Sequence, residues 1–261
     1  DEFTDSVHVI KYPIWEPFDA YKALTGKKGK KLQTGFLNEG GKQDNKWIQK
    51  IALWLRANLF IPDAKKFWIK PSIQHLSNFL KDHPVDIIVS TGPPHTTHLI
   101  ALGLKRATGI PWLADFRDPW TNIDWFDKLP MTFLAKRKHR NLEQSVLREA
   151  TGITCVSRTW TKEFEDLANR PVKLITNGFA PKDFQHFNKK VDEHFTILHT
   201  GSLNADRNPT IFWAFLAQEI SQNEFLKEKL KIQLVGAVDI SVVQSIESCG
   251  LRPYLDQRPF I

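Results

Sequence analysis

The segment from Pro84 to Trp120, PVDIIVSTGPPHTTHLIALGLKRATGIPWLADFRDPW, decides the fold class of this 261-residue chain. A run rich in Val and Ile at 85–89 predicts a β-strand. A helix is predicted over 95–108, and Gly109 marks its end. The apolar run at 110–114 predicts the next strand. Strands that alternate with helices in this order are typical of a parallel sheet, so we predict an α/β fold.

The same alternation extends over most of the chain and falls into two blocks. The first block adds predicted strands over 7–10, 152–156 and 172–175, and helices over 71–81, 130–149 and 157–168. The second block has strands over 195–199, 231–235 and 251–255, and helices over 209–222 and 241–249. A polar stretch separates the two blocks. We therefore predict a Rossmann-like domain over 1–178, a linker over 179–193, and the first part of a second Rossmann-like domain over 194–261.

The composition is that of an ordinary globular protein, with 41% hydrophobic and 25% charged residues. It excludes the disordered, collagen-like and coiled-coil classes. The two cysteines, Cys155 and Cys249, are isolated in the sequence, so no disulfide or metal staple is required and a reducing compartment is indicated. No stretch approaches the roughly 18 apolar residues that span a bilayer, and the first residues lack an export signal. We expect a cytoplasmic protein.

Positive charge is concentrated between Lys22 and Lys70, where 12 basic side chains accompany three acidic ones, while the whole chain carries +7. Trp47 and Trp54 lie seven residues apart there, on one side of a predicted amphipathic helix. A basic helix that carries Trp can bind an anionic membrane surface, and the alternative is that this face packs on the core. The predicted membrane-surface residues are Lys27, Lys28, Lys30, Lys31, Trp47 and Trp54. No nucleic-acid recognition motif is present, so we expect no nucleic-acid partner.

Ligands of open parallel sheets bind beyond the carboxyl ends of the strands, and three predicted loops there carry unusual residues. The first loop is Thr91-Gly92-Pro93-Pro94-His95. Gly92 permits close backbone approach, and His95 begins a helix whose free amides favour a phosphate or an oxyanion. The alternative is a plain turn in which His95 caps the helix.

The second loop, Asp115-Phe116-Arg117-Asp118-Pro119-Trp120, places two carboxylates, a guanidinium and an indole within six residues. Arg117 can clamp hydroxyls or a phosphate, and a carboxylate can orient a hydroxyl or take its proton. The face of Trp120 can pack on a sugar ring. The alternative is an internal Arg–Asp ion pair that fixes the loop.

The third loop connects the predicted strand at 195–199 to the predicted helix at 209–222. Its candidate ligand-binding residues are Gly201, Ser202, Arg207 and Asn208. Backbone amides near the small residues, together with the charge of Arg207, would bind a diphosphate, and the alternative is a solvated loop. The chain has neither a Walker motif nor Gly-x-Gly-x-x-Gly, which argues against kinase and dehydrogenase functions.

Five motifs carry a resemblance to a known family. They are Asn-Leu-Phe-Ile-Pro-Asp-Ala from Asn58, Ser-Thr-Gly-Pro-Pro-His from Ser90, Trp-Leu-Ala-Asp-Phe-Arg-Asp-Pro-Trp from Trp112, Ile-Thr-Asn-Gly-Phe from Ile175 and His-Thr-Gly-Ser-Leu from His199. With them, nearly the whole chain resembles the GT-B glycosyltransferases of family 4 that occur in surface-polysaccharide biosynthesis. The resemblance implies two Rossmann-like domains, of which the first binds the acceptor and the second binds the nucleotide-sugar.

The resemblance also implies roles for the loop residues. The expected catalytic residues are Asp118, Arg117 and His95, and the acceptor-side cleft residues are Thr91, Gly92, Asp115 and Trp120. Donor diphosphate binding is expected at Gly201, Ser202, Arg207 and Asn208, with Asn177 and Gly178 in the linker. Arg117 stands where the family often has a His. The family's Gly-rich loop after the first strand and its Glu-x7-Glu motif are missing, so we expect a fragment truncated at both ends.

We predict that the full-length protein is a glycosyltransferase of hexosyltransferase type. It would move a sugar from a nucleotide-diphosphate donor to a glycan or lipid-linked glycan acceptor, without a metal ion or other cofactor, and the fragment alone would be inactive. A nucleotide-sugar 2-epimerase of the same fold and a non-catalytic module that binds sugar or a membrane surface are the alternatives. With a lipid-linked acceptor, the enzyme would be peripheral at the inner leaflet of the cytoplasmic membrane.

Overall fold

The computed structural model describes residues 7–13, 46–124, 126–184 and 192–260, and these residues form two compact units. The break between the units falls after Phe179. Unit 1 holds the first block of strands and helices, and unit 2 holds the second. The four predicted membrane-surface lysines lie outside the described residues; they are Lys27, Lys28, Lys30 and Lys31.

Unit 1 is built on a parallel four-stranded sheet. Its strands are β1 (Ile88–Gly92), β2 (Trp112–Phe116), β3 (Gly152–Cys155) and β4 (Lys173–Leu174), in the order β1-β2-β3-β4. Its helices are α1 (Lys46–Leu59), α2 (Ile69–Asp82), α3 (Thr96–Thr108), α4 (Phe133–Glu149) and α5 (Arg158–Ala168). Every neighbouring pair of strands is parallel, so the carboxyl ends of all four strands lie at one edge of the sheet.

The core of unit 1 forms around β2. Trp112, Ala114 and Phe116 alternate along this strand and are each 0% exposed, as expected for the buried face of a strand. Leu102 of α3 and Val146 of α4 belong to the same buried cluster. Burial of each large side chain contributes about 1.5–3 kcal/mol. This packing fixes the loops that leave the carboxyl ends of β1 and β2.

Helices α2 and α3 approach each other closely at Gly103. A Cβ at this position would lie 2.2 Å from Cδ1 of Ile73 on α2, so a side chain would force Ile73 or the helix to move. Helix α3 ends at Gly109, whose φ of +74° lies in the left-handed region, where glycine has no steric penalty. Both glycines therefore fix the position of α3, which follows the first candidate loop.

Unit 2 contains a second parallel sheet, whose strands are β5 (Phe195–Thr200), β6 (Leu230–Val235) and β7 (Leu255–Arg258), in that order. Its helices are α6 (Thr210–Gln222), α7 (Glu224–Lys229) and α8 (Ile240–Ser248). Ile232 and Leu234 of β6 pack with Val242 and Ile246 of α8 in a separate core. The predicted α/β fold with parallel, Rossmann-like sheets is confirmed.

Several predicted boundaries were wrong. Residues 7–13 form no strand, and Val7 and Val9 are 54% and 61% exposed. Strand β1 begins at Ile88, three residues later than predicted, because its pairing starts where the Ile88 amide donates to the Pro111 carbonyl.

The last predicted strand is also displaced towards the C-terminus. The amide of Leu251 donates to the Ile246 carbonyl at the end of α8, and Arg252–Tyr254 form a 3-10 turn. Strand β7 therefore starts only at Leu255. Helix α7 was not predicted; Asn223 begins it by accepting a hydrogen bond from the Leu226 amide, as N-cap residues do.

Helix α1 exposes most of the apolar side chains on one face. Trp47, Ile51 and Trp54 are 63%, 50% and 43% exposed, whereas Ala57, one turn after Trp54, is 7% exposed. The alternative that the Trp face packs on the core is therefore wrong. None of the described helices is long and apolar enough to cross a membrane.

Candidate active site

The carboxyl edge of the first sheet holds one carboxylate in a fixed position. Thr91, Asp115 and Thr154 are register partners on β1, β2 and β3. The hydroxyl of Thr91 donates to Oδ2 of Asp115 at 2.8 Å, and the hydroxyl of Thr154 donates to Oδ1 at 2.7 Å. Both carboxylate oxygens are therefore oriented by neighbouring strands, which makes Asp115 a rigid element of the edge.

Arg117 and Asp118 follow immediately after β2. The Arg117 amide donates to the Gly92 carbonyl at 2.9 Å, and its guanidinium donates to the Pro93 carbonyl. The Arg117 side chain is exposed, whereas Asp118 is half-buried. The Asp118 carboxylate makes no hydrogen bond or ion pair within the described part of the chain. The alternative of an internal Arg–Asp ion pair is therefore wrong for these described residues, and both side chains can contact a ligand.

The amino end of α3 is already occupied by a carboxylate of the chain itself. Asp63, which precedes α2, accepts hydrogen bonds from the Thr96 amide at 2.9 Å and from the Thr96 hydroxyl at 2.7 Å. A carboxylate is stabilised there by the helix dipole. This corrects the prediction that the amides after the Gly-Pro-Pro turn are free for a phosphate. Sequence reasoning missed Asp63 because it lies 33 residues from its partner.

His95 packs against the second candidate loop. Its ring stacks on Trp120, with centroids 4.7 Å apart and ring planes 1° apart. A hydrogen bond to the Pro119 backbone engages the ring, and the Nδ1 atom is buried without a partner. Burial, with the nearby rings of His98 and His139, lowers the pKa of His95 to about 3. The ring is therefore neutral near pH 7, and the catalytic role of His95 stays a prediction.

Trp120 cannot serve as a platform for a sugar ring. It is 2% exposed, one face stacks on His95, and its indole N–H donates to Nδ1 of His139 at 3.0 Å. The prediction that Trp120 packs on a sugar ring was wrong because the sequence alone does not show whether an aromatic residue in a loop is buried. Trp120 instead fixes the loop that begins with Arg117 and Asp118.

Gly92 is required by a buried histidine beneath the loop. A Cβ at Gly92 would lie 2.5 Å from Nε2 of His98, closer than any packing allows. The indole N–H of Trp112 donates to Oγ of Ser90 at 2.8 Å, and this hydroxyl lies 2.8 Å from Nδ1 of His98. The Ser90 hydroxyl therefore links the indole of Trp112 to the ring of His98.

The charge state of His98 follows from its surroundings. Burial and the positive charge of Arg117 lower its pKa to about 3, so the ring is neutral at physiological pH. His95 and His98 lie three residues apart at the start of α3, a spacing that also occurs in helical metal sites. The described residues contain no group of three or more His, Cys, Asp or Glu side chains that could hold a metal ion.

Buried polar groups on α4 also hold the second loop. Glu143 is 2% exposed and accepts hydrogen bonds from the amide and the hydroxyl of Thr121. Burial raises the pKa of Glu143, and burial lowers that of His139 to about 4. The contacts of Glu143 with Thr121 and of His139 with Trp120 were not predicted. Periodicity places Glu143 and His139 on a helix but does not indicate their partners.

In unit 2, the loop after β5 is tied to the loop after β6. The Gly201 amide donates to the Val235 carbonyl at 2.8 Å, and the Leu203 amide donates to the Ala237 carbonyl at 2.9 Å. A Cβ at Gly236 would lie 2.3 Å from the Gly201 oxygen. The Gly201 amide is therefore used within the fold. This corrects the prediction that it donates a hydrogen bond to the diphosphate.

Asn208 also belongs to the interior of unit 2. Its amide nitrogen donates to Oγ of Ser245 at 2.8 Å, and its oxygen accepts from the indole N–H of Trp213 at 2.9 Å. The predicted contact of Asn208 with the diphosphate is corrected, because both ends of the amide are engaged. Ser202 and Arg207 have exposed side chains on the same loop.

The predicted linker residues Asn177 and Gly178 are exposed and follow β4. They lie just before the break between the two units. Their role as a linker stays a prediction.

Comparisons with known proteins identify a family match and similar folds. Residues 51–178 match the family described as glycosyl transferase 4-like domain. A glycosyltransferase from Rickettsia africae ESF-5 is 12% identical, with a TM-score of 0.50 over 74% of this chain and 51% of that chain. The trehalose-6-phosphate phosphatase N-terminal domain from Candida albicans is 12% identical, with a TM-score of 0.52 over 85% of this chain and 53% of that chain.

These two likenesses show the fold, and the chain spans about half the length of each of the two solved structures. No curated protein matches the sequence. The family match covers both loops at the carboxyl ends of β1 and β2. Residues 51–178 therefore belong to the glycosyl transferase 4-like domain family, which confirms the resemblance of the chain to the GT-B glycosyltransferases of family 4.

Proposed function

We propose that the whole protein transfers a sugar from a nucleotide-diphosphate donor to a glycan or lipid-linked glycan acceptor, without a metal ion or other cofactor. The single observation that carries the proposal is the family match over the unit whose carboxyl edge presents Arg117 and Asp118. A glycosyl transferase 4-like domain with an exposed guanidinium and an unpartnered carboxylate side by side has the groups that a hydroxyl acceptor requires.

On the acceptor side, Asp118 accepts a hydrogen bond from the acceptor hydroxyl and takes its proton as the new glycosidic bond forms. Arg117 donates hydrogen bonds to neighbouring oxygens of the acceptor; a guanidinium is always protonated and cannot act as the base. Asp115, held by Thr91 and Thr154, fixes the strand end from which both groups project. Alignment of the hydroxyl is the main contribution of this unit to the rate.

On the donor side, the leaving diphosphate gains negative charge as its bond to the sugar breaks. Ser202 and Arg207 are the candidate residues that bind it, since their side chains are exposed on the loop after β5. Positive charge and N–H or O–H donors aimed at a leaving group typically contribute on the order of 10²-fold or more to the rate. We expect Arg207→Ala to weaken donor binding and turnover, with Lys227→Ala on α7 as the control.

The proposed reaction is tested by incubating the whole protein with a panel of nucleotide-sugars, with and without a membrane lipid extract. The proposal expects labelled sugar in the lipid or glycan fraction, formed only with the extract and unaffected by EDTA. A changed nucleotide-sugar formed without any acceptor would instead identify an epimerase. Donor binding without any product under either condition would identify a non-catalytic module.

We further propose that the whole protein works at an anionic membrane surface, at the inner leaflet of the cytoplasmic membrane. Support comes from Trp47 and Trp54, which are exposed on α1, with the exposed Lys50 beside them. Indole rings favour the membrane interface, and each basic residue near an anionic surface adds about 1 kcal/mol. Co-sedimentation with anionic but not neutral vesicles, weakened by salt, is the expected result. Replacing Lys27, Lys28, Lys30 and Lys31 with Gln tests their contribution.

A further inference from the structure

Two neighbouring large apolar side chains stand out at the start of α4. Phe133 and Leu134 are 74% and 73% exposed, and they lie in the first turn of the helix. Thr132 caps this turn by accepting a hydrogen bond from the Ala135 amide. The cap fixes the first turn, so the exposure of Phe133 and Leu134 belongs to a formed helix end. We name these two side chains the apolar tip.

The side chain of Asn58 on α1 holds the apolar tip next to α1. The amide nitrogen of Asn58 donates to the Pro130 carbonyl at 2.8 Å, and its oxygen accepts from the Thr132 amide at 2.7 Å. Asn58 lies four residues after Trp54, which places both on one face of α1. The tip and the exposed Trp face of α1 are therefore neighbouring parts of the surface of unit 1.

Basic side chains lie directly behind this apolar surface. Arg137 and Lys138 follow Phe133 and Leu134 by one helical turn, and both are exposed. Lys50 is exposed on α1 beside Ile51. An apolar edge backed by cations is complementary to an anionic bilayer. A second copy of the chain would bring the same cations face to face, which disfavours self-association through this surface.

The apolar tip is also connected to the candidate active site. The segment 117–132 begins with Arg117 and Asp118 and ends at the cap of α4. Its described residues are held by hydrogen bonds from Trp120 to His139, from Thr121 to Glu143, from Asn122 to Glu163, and between Asn58 and the residues 130 and 132. These attachments hold the described residues of the segment against α1, α4 and α5.

We propose that Phe133 and Leu134 insert into an anionic bilayer beside α1 and thereby orient the Arg117–Asp118 strand end towards the membrane. This inference rests on the proposed membrane function and names the residues that enter the bilayer. It predicts that the tip, in addition to the two Trp residues of α1, determines the affinity for lipid.

The test is flotation of the whole protein with vesicles of phosphatidylglycerol and phosphatidylcholine, or of phosphatidylcholine alone. The double variant Phe133→Ser with Leu134→Ser should bind the anionic vesicles at least about tenfold more weakly, since two large apolar side chains no longer leave water. The matched control is Ile211→Ser with Phe215→Ser on α6, whose side chains are 85% and 55% exposed. The control should bind like the wild type.

A second variant separates the position of the tip from its apolar area. Asn58→Ala leaves the Phe133 and Leu134 side chains unchanged but removes the hydrogen bonds that hold the start of α4 next to α1. This variant should also weaken vesicle binding. Circular dichroism spectra and thermal melts that match those of the wild type show that the variants are folded.

Three outcomes would overturn the inference. If the wild type binds anionic vesicles and the double variant binds them equally, only the role of the tip fails. If the wild type binds no vesicles, the membrane function proposed above fails with it, while sugar transfer to a soluble acceptor is tested separately. If the double variant instead lowers the molar mass in sedimentation equilibrium, the surface is an interface between copies of the chain.

Discussion

Acidification should destabilise unit 1 because three buried histidines are held neutral. His95 and His98 have a pKa of about 3 and His139 one of about 4, each lowered mainly by burial from an ordinary value of 6.5. Between these values the unfolded chain binds protons that the folded chain does not. The free energy of unfolding is therefore insensitive to these groups above pH 7, and it falls as the pH drops from about 6.5 towards 4.

The magnitude follows from the two pKa values of each group. For a pKa of 6.5 in the unfolded chain and about 3 in the folded one, His98 alone lowers the free energy of unfolding by about 2 kcal/mol between pH 8 and pH 5. His95 and His139 each add a similar amount, so the three together reach about 6 kcal/mol. This is comparable to the entire stability of many domains, which is about 5–15 kcal/mol.

The assay is urea denaturation followed by circular dichroism at several pH values from 8 to 5. The variant His98→Asn keeps an acceptor near Ser90 but has no titrating ring, so it should lose about 2 kcal/mol less than the wild type over this range. His75→Asn, at an exposed position on α2, is the control and should keep the wild-type dependence. An unchanged pH dependence in His98→Asn would refute the reasoning, even if that variant is less stable at pH 8.

Two further predictions concern the packing beneath the loops. Gly92→Ala would place a Cβ 2.5 Å from Nε2 of His98, so we expect the free energy of unfolding in urea to fall by about 1–3 kcal/mol. Gly178→Ala is the control and should be neutral, because no atom lies within 4 Å of the added Cβ. Equal stabilities of the two variants would contradict the proposed packing of Gly92 on His98. Asp63→Ala should cost about 1–2 kcal/mol because the Thr96 amide and hydroxyl lose their acceptors, whereas Asp63→Asn should recover only part of this loss, since its NH2 group replaces one of the two acceptor oxygens. If Asp63→Ala is as stable as the wild type, the hydrogen bonds to Thr96 do not contribute to stability.

Sequence periodicity was sufficient for the architecture because the fold depends on local apolar runs. The strand at 152–156 and the helix at 209–222 were placed within about one residue at each end, since turn and cap residues bound them. The first strand was displaced because Val85 and Ile87 continue the apolar run, while pairing with β2 begins only at Ile88.

The site was predicted less completely, since its parts come from distant positions. Asp115, Arg117 and Asp118 follow an apolar strand, and parallel topology requires such residues to meet at the carboxyl edge. Burial of Trp120 against His95 depends on the path of a whole loop, which no short pattern encodes. Asp63 and Thr96 are likewise partners only in the folded chain.

The amphipathic helix α1 illustrates another limit of periodicity. Its spacing correctly predicted one apolar face, but spacing alone does not distinguish a face that packs on the core from one that contacts solvent or lipid. Only the structure shows that Trp47 and Trp54 are exposed. The additional apolar tip at Phe133 and Leu134 has no periodic signal, because it consists of two adjacent residues at a helix end.

The central claim is that the strand end at Arg117 and Asp118 carries sugar transfer, and the kcat of Asp118→Asn in the whole protein tests it most directly. Asn keeps the size of Asp118 but cannot take a proton, so we predict a loss in kcat on the order of 10²-fold or more. Asp166→Asn on the exposed surface of α5 is the matched control and should retain wild-type turnover. Wild-type kcat in Asp118→Asn, with the same product, would contradict the account.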